Sequence, residues 1–276
     1  MDWERLWQHR VGMVGLIVIL FNLLLALTAP WIATHDPLEI NVAKQAAPPS
    51  REFLFGTDEF GRDIFSRVIY GTRISLYISL LSVLGASALG VVIGAISGYY
   101  GRWVDHLIMR LMDAIMSFPA ILLAIGIMAV LGGQVYNVIL ALGFVYIPRF
   151  ARIVRGSVLS LKKKEFVEAS IALGNSDGFI IFRHILPNCL APLIVQGTSA
   201  LAYAILAEAS LSFLGLGAPP PAPSWGNILS DARNYMLAAP LMTVFPGLAI
   251  TLAVLGFNLL GDALRDILDP RLKFIR

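Results

Sequence analysis

Charge is scarce in this sequence. Charged residues make up 14% of its 276 residues, against about 25% in soluble domains. A soluble globule of this size needs far more polar surface, so the bilayer must replace water as solvent over most of the chain. Cysteine is nearly absent. Cys189 stands alone, which rules out an intrachain disulfide. The four histidines, His9, His35, His106 and His184, form no H-E-x-x-H pair and offer no zinc set. No G-x-x-x-x-G-K-S/T phosphate loop occurs, so any ATP must be bound by another subunit. No G-x-S-x-G elbow occurs either, since Gly85-Ala86-Ser87-Ala88-Leu89 fails at its last position. Gly261-Asp262 lacks the earlier glycine that an intramembrane aspartyl protease needs. No basic face interleaved with aromatics lies outside the membrane flanks, which argues against nucleic acid as a partner. With no catalytic constellation, the chain is not expected to be an enzyme or to bind a cofactor or metal itself.

What the sequence does have is long apolar runs. Hydrophobic residues make up 57%, and the mean hydropathy is +0.76. Runs of about 20 apolar residues each cross roughly 30 Å of hydrocarbon, and they predict an all-α membrane protein with six transmembrane helices. The expected spans are Gly12–Ala33, Ile74–Gly98, Leu107–Leu131, Val135–Phe150, Leu190–Leu214 and Leu241–Leu260, with Pro148 interrupting the end of the fourth. The first is too long for a signal-peptide core and has no A-x-A cleavage site, so it should be retained. With the N-terminus inside, 15 of the 21 Lys and Arg fall on the cytoplasmic side and the other 6 outside. That bias places both termini in the cytoplasm. Residues 1–34 then hold an interfacial helix around Trp3, Leu6 and Trp7 and the first span. Residues 35–73 form an external loop. Residues 74–276 form a five-helix core with a cytoplasmic loop at 152–188.

Several residues stand out against this frame. Gly90, Gly94 and Gly98 recur every four residues and offer a smooth face for close helix approach. Arg110 and Asp113 are spaced to pair on one helix face. Glu208 sits in an apolar run, where an ionisable group is costly and marks a functional site; a carboxyl capping a helix break is the equal alternative. Arg62 and Asp63, with Asp58 and Glu59, make a charged external patch. Glu208, Arg62 and Asp63 are read as pathway or gate residues, with a structural role favoured for the patch.

The internal loop reads Glu165-Phe166-Val167-Glu168-Ala169-Ser170-Ile171-Ala172-Leu173-Gly174, then His184-Ile185-Leu186-Pro187. This pattern resembles the E-A-A-x-x-x-G … I-x-L-P signature of ABC importer membrane subunits. Glu168, Ala169, Gly174, Leu186 and Pro187 match at the family spacing, while Ser170 stands in for the second Ala and His184 for the usual Ile. Small residues let a short helix sit close to a partner, and Gly174 stops it with a left-handed residue. A second helix, Asp177 to Ile185, is expected, ended by Pro187. The resemblance assigns ATPase coupling to Glu168, Ala169, Ser170, Leu173, Gly174, Asp177, Leu186 and Pro187.

Three further blocks, Gly56 to Arg67, Glu208 to Gly217 and Phe257 to Pro270, resemble the second permease of peptide, glutathione and nickel importers. The resemblance implies the type I importer permease fold and a solute pathway shared with a second homologous permease. It also implies two ABC ATPase subunits that bind ATP and Mg, an extracytoplasmic substrate-binding protein, and multi-pass residence in the bacterial inner membrane. The alternative is a stand-alone channel or secondary transporter, which needs charged residues across several spans; only Glu208 qualifies. The blocks do not separate dipeptide, oligopeptide, glutathione and nickel as cargo.

Overall fold

A computed structural model of the chain describes residues 9–237 and 239–268. The expected interfacial helix around Trp3, Leu6 and Trp7, and the end of the C-terminal block, lie outside the described residues. Hydrocarbon forces each crossing segment to satisfy its own backbone polar groups, which favours helix. The chain obeys: α1 covers Arg10–Ile32, α2 Ile64–Tyr100, α3 Arg102–Met116, α4 Ala120–Leu131 and α5 Val135–Leu161. The short α6 covers Glu165–Ala172. Helical turns then run from Asp177–Phe179 through a π-helical stretch at Ile180–Ile185 into α7, Leu186–Phe213. α8 covers Trp225–Ala232 and α9 Leu241–Leu268. By length and composition α1, α2, α5, α7 and α9 are each able to cross a membrane.

Apart from α2, which begins at Ile64 and so takes residues 64–73 out of the expected external loop, two expected spans come out differently. Leu107–Leu131 is not one straight helix, because α3 and α4 meet at 87°. The Ser117 amide closes α3 by donating to the Asp113 carbonyl at 2.9 Å. Phe118 precedes a proline, which pushes it out of the helical region, and Pro119 has no N–H to continue the ladder. Hydropathy sums across such a corner without registering it. The pair makes a sixth span only if both halves are counted as one. In the other case, α5 does not stop near Phe150 but continues through Pro148 to Leu161. Pro148 is buried among neighbouring helices, the setting in which spanning helices tolerate proline.

α2 and α5 share a seam built on glycine. A Cβ on Gly90 would fall 2.4 Å from Phe150 Cβ, one on Gly94 2.4 Å from the Ala151 carbonyl oxygen, and one on Gly98 2.8 Å from Val158 Cβ. The expected packing face is therefore real, and its partner is α5. Gly94→Ala must push two backbones apart, which costs about 1–3 kcal/mol. Gly85→Ala, where a Cβ meets nothing within 4 Å, is the control. The detergent-solubilised protein should melt clearly lower with Gly94→Ala and unchanged with Gly85→Ala; equal melting of the two would remove the seam's stabilising role.

Candidate functional site

The 162–187 loop projects from one end of the bundle. Val167 and Ser170 turn inward and are buried, while Glu165, Phe166, Glu168, Ala169 and Ile171 are exposed. Val167 packs in a core with Tyr99, Val154, Val158, Ile180 and Ile185. The end of α6 closes as the spacing to Gly174 predicts. The Gly174 amide donates to the Ile171 carbonyl at 2.9 Å and the Asn175 amide to the Ser170 carbonyl at 3.3 Å, the paired bonds of a Schellman ending. Gly174 takes φ +76°. Ser170, the departure from the usual alanine, accepts a hydrogen bond from Asn175 Nδ2 at 3.0 Å, so its hydroxyl reinforces the same corner.

Two ties weld the loop to α2. The Tyr99 hydroxyl donates to Asp177 Oδ1 at 2.9 Å, and Lys162 Nζ donates to the Tyr99 carbonyl at 2.6 Å. Beyond Gly174 the expected isolated helix ending at Pro187 does not form. The chain stays helical from Asp177 to Phe213, and Pro187 sits in the first turn of α7. Its missing N–H falls where π-helical bonding gives way to α-helical bonding, so the chain changes register there and continues rather than stopping. Leu173 is 81% exposed and Phe182 74% exposed; both apolar groups are left largely uncovered by the described residues.

Next to this loop, α3 is fixed to α5 by ions that sequence spacing does not pair. Arg155 donates to both oxygens of Asp105 at 2.5 Å. Asp113 accepts from Arg152 at 2.5 Å, not from Arg110, because the α3–α5 contact brings Arg152 opposite it. Between α5, α7 and α9 lies a cleft of about 490 Å³ lined by Ile153, Pro192, Gln196, Ser199 and Arg265 among others.

The opposite end of the bundle carries the 33–63 loop and α8. The expected charged patch is here, but it is buried. Asp58 Oδ2 lies 2.6 Å from Arg62 Nε and 3.3 Å from Arg67 Nε. Asp231 Oδ2, brought in by α8, lies 3.1 Å from Arg62 and 3.2 Å from Arg67. Glu59 meets Arg62 at 3.2 Å. Burial raises the carboxyl pKa of Glu59, with Asp58 and Asp231 adding to the rise and Arg62 opposing it. Burial also raises that of Asp231, against the pull of Arg67 and Arg62. Asp63 caps α2: its Oδ2 accepts from the Ser66 amide at 2.9 Å, the Ser66 hydroxyl at 2.6 Å and the Thr34 hydroxyl at 3.0 Å.

Glu208 is fully buried near the end of α7. Its Oε1 accepts from the Ser212 hydroxyl at 2.7 Å. The start of α8 seats beside it, with the Trp225 amide donating to Ser75 Oγ at 3.3 Å and the indole Nε1 to the Val68 carbonyl at 3.1 Å. Glu208 is thus sealed among α2, α7 and α8. Arg67, Asp231, Tyr99, Asp105 and Arg155 were not singled out from sequence. For Arg67 a signal existed, since a charge beside an apolar run calls for a partner; its partner Asp231 is far away in sequence and carries no such mark.

A family model described as binding-protein-dependent transport system inner membrane component matches residues 90–274. A second, described as the N-terminal TM domain of oligopeptide transport permease C, matches residues 2–49. A putative peptide transport system permease protein of Brucella abortus biovar 1 is 53% identical over 270 residues, 98% of this chain and 91% of the relative. The dipeptide transport system permease protein DppC of Alkalihalophilus pseudofirmus is 48% identical over 270 residues, 98% of this chain and 89% of the relative. The glutathione transport system permease protein GsiD of Escherichia coli O6:K15:H31 is 45% identical over 272 residues, 98% of this chain and 90% of the relative. Among solved structures, a chain of the inward-facing MetNI methionine ABC transporter superposes with TM-score 0.60 at 19% identity, over 74% of this chain and 96% of that one. That likeness is one of fold.

Proposed function

This chain belongs to the family of binding-protein-dependent transport system inner membrane components, and from that premise we propose that it moves peptides or a closely related small solute. It is a multi-pass permease subunit of an ABC importer, and the stand-alone channel or secondary transporter is not favoured. The substrate class rests on the names of relatives that span nearly the whole chain. In this reading the fold is that of a type I importer permease with six spans, the bent α3–α4 pair counted as one. Both termini and the 162–187 loop are cytoplasmic, and the 33–63 loop and α8 are external. A second permease completes the pathway, two ATPases bind ATP and Mg, and an external protein delivers the cargo. The cleft between α5, α7 and α9 is this chain's share of the pathway.

The observation that carries the mechanism is the bare apolar tip of the 162–187 loop, held by the ending at Gly174. An exposed helix face of this kind seats in a groove of a partner. Because Val167, Asp177 and Lys162 tie the loop to Tyr99 and the α5 core, a push on the loop becomes a displacement of α2 and α5. Closure of the ATPases then drives alternating access around the central cleft.

The test combines biochemistry with topology. The purified chain should hydrolyse no ATP, while the complex co-purified with its ATPases should do so and take up dipeptides in proteoliposomes. In a Cys189→Ala background, an impermeant thiol reagent applied to intact cells should label Lys44→Cys and spare Lys163→Cys. ATP hydrolysis by the chain alone, or the reverse labelling pattern, would overturn the reading.

A further inference from the structure

The import cycle described above uses α3 only as half of a bent span and gives its outer surface no role. The course of α3 is not that of a crossing helix. Asp105 pairs with Arg155 and Asp113 with Arg152. The two acids are about 12 Å apart along α3, whereas the two arginines are only about 4.5 Å apart along α5. α3 therefore crosses α5 steeply instead of running beside it, and it meets α4 at 87°. Gly101 and Arg102 both take positive φ, +65° and +49°, which turns the chain sharply from α2 into this new direction. The level of the crossing is set as well. From the start of α5 at Val135, Arg152 and Arg155 lie roughly 26 and 30 Å along the helix, against a hydrocarbon layer of about 30 Å. α3 thus lies along one boundary of the membrane, at the end that carries the 162–187 loop.

Its surface divides into three arcs. Ile108, Met109, Met112 and Ile115 turn into the bundle. Trp103, Leu107 and Leu111 form an apolar stripe that the chain leaves bare, at 71%, 55% and 56% exposed. Arg102, His106 and Arg110 form a second exposed stripe, each one residue before a member of the first. Among the described residues no carboxylate pairs with Arg102 or Arg110, and the acid in their arc, Asp113, is taken by Arg152. We propose that α3 rests in the cytoplasmic face of the bilayer and binds the phosphate of an anionic phospholipid through Arg102, His106 and Arg110, with Trp103, Leu107 and Leu111 among the acyl chains.

Charge and place select this occupant. A helix with an apolar stripe, a basic stripe and an indole lies in the interface, its apolar side at the acyl boundary and its cations among the headgroups. A spanning partner would cover the leucines and strand the cations, which are costly away from water. An acidic soluble partner would pair the cations and leave the indole and leucines wet. The bilayer boundary serves both stripes at once. Arg102 and Arg110 carry forks of donors suited to phosphate, and the His106 ring keeps an N–H donor in either protonation state. The choice of leaflet, though not the lipid contact, rests on the import reading.

The test uses the assembled transporter, otherwise free of reactive cysteine, in nanodiscs of equal phosphatidylglycerol and phosphatidylcholine. A benzophenone on Leu107→Cys should crosslink to lipid, and to phosphatidylglycerol in preference to phosphatidylcholine. Arg102→Gln with Arg110→Gln should reduce that preference on the order of tenfold, as the loss of two cations near an anionic surface does. Arg102→Lys with Arg110→Lys should keep most of it. Millimolar glycerol phosphate should leave the crosslinking unchanged. An unaltered preference in the glutamine pair would overturn the proposal, and so would capture of another subunit in place of lipid. Loss of the preference in glycerol phosphate would overturn it too, making the stripe a site for a soluble anion. Selective lipid capture by a complex that takes up no dipeptide would overturn the import reading and leave the lipid site standing.

Discussion

Replacing Arg67 with alanine is expected to destabilise the chain by about 3–5 kcal/mol, the cost of leaving buried charges without their partner. Arg67 is 2% exposed and lies between Asp58 and Asp231. It also donates to the Pro37 carbonyl at 3.4 Å. Without it, Asp58, Glu59 and Asp231 share the single guanidinium of Arg62. Arg67→Lys should recover part of the loss, because one ammonium cannot reach as many acceptors as a guanidinium fork. Thermal melting of the detergent-solubilised protein measures this. A melting point for Arg67→Ala equal to wild type would mean that the cluster is solvated rather than buried.

The same cluster sets a pH dependence. The pKa values of Glu59 and Asp231 are raised in the fold, among Asp58, Arg62 and Arg67. The folded chain therefore keeps protons that the unfolded chain has released. Stability is then lost as pH rises from the ordinary carboxyl range, about 4, through the two raised values. Since other carboxyls act in the opposite sense, the difference between wild type and Asp231→Asn is the readout. It should shrink on acidification and widen toward neutral pH.

Gly174→Val should abolish most uptake while leaving membrane insertion intact. Nothing lies within 4 Å of a Cβ placed on Gly174, so the valine finds space. What it meets is φ +76°, which costs a β-branched residue about 1–2 kcal/mol or more. The last turn of α6 would unwind to escape that cost, moving Leu173 and breaking the Asn175 bonds to Ser170. Since about 1.4 kcal/mol is a factor of ten in docking equilibrium, roughly tenfold less ATPase should co-purify. Gly174→Asn is the discriminating control, because asparagine tolerates the left-handed region and should keep most activity. Equal loss in both variants would point away from the backbone angle and toward a docked partner that needs the bare glycine surface.

Features written in local spacing were legible in the sequence. The seam at Gly90, Gly94 and Gly98 needed only a four-residue period. The corner at Gly174 needed only a helix length and a glycine. The apolar runs gave the long helices, though not the corner at Pro119, since hydropathy is blind to direction. What escaped was pairing across distance. Asp58, Glu59, Arg62 and Asp63 read as an external patch with a structural role, but their burial was not legible, because the element that covers them, α8 with Asp231, is far away in sequence. Pro187 read as a stop because a proline's effect depends on which turn of a helix it falls in, and that turn is set by the π-helical stretch before it.

The glycine seam has a consequence for motion. The bare glycines of α2 take the Phe150, Val154 and Val158 side chains and the Ala151 backbone of α5 directly against the α2 backbone, so the two helices cannot slide past each other without a clash. α2 and α5 must therefore travel as one rod, with the 162–187 loop fixed to its end like a handle. The compliance of the subunit then falls at two joints, the corner at Ser117–Pro119 and the π-helical stretch at Ile180–Ile185, where the helical ladder is already interrupted or loosened.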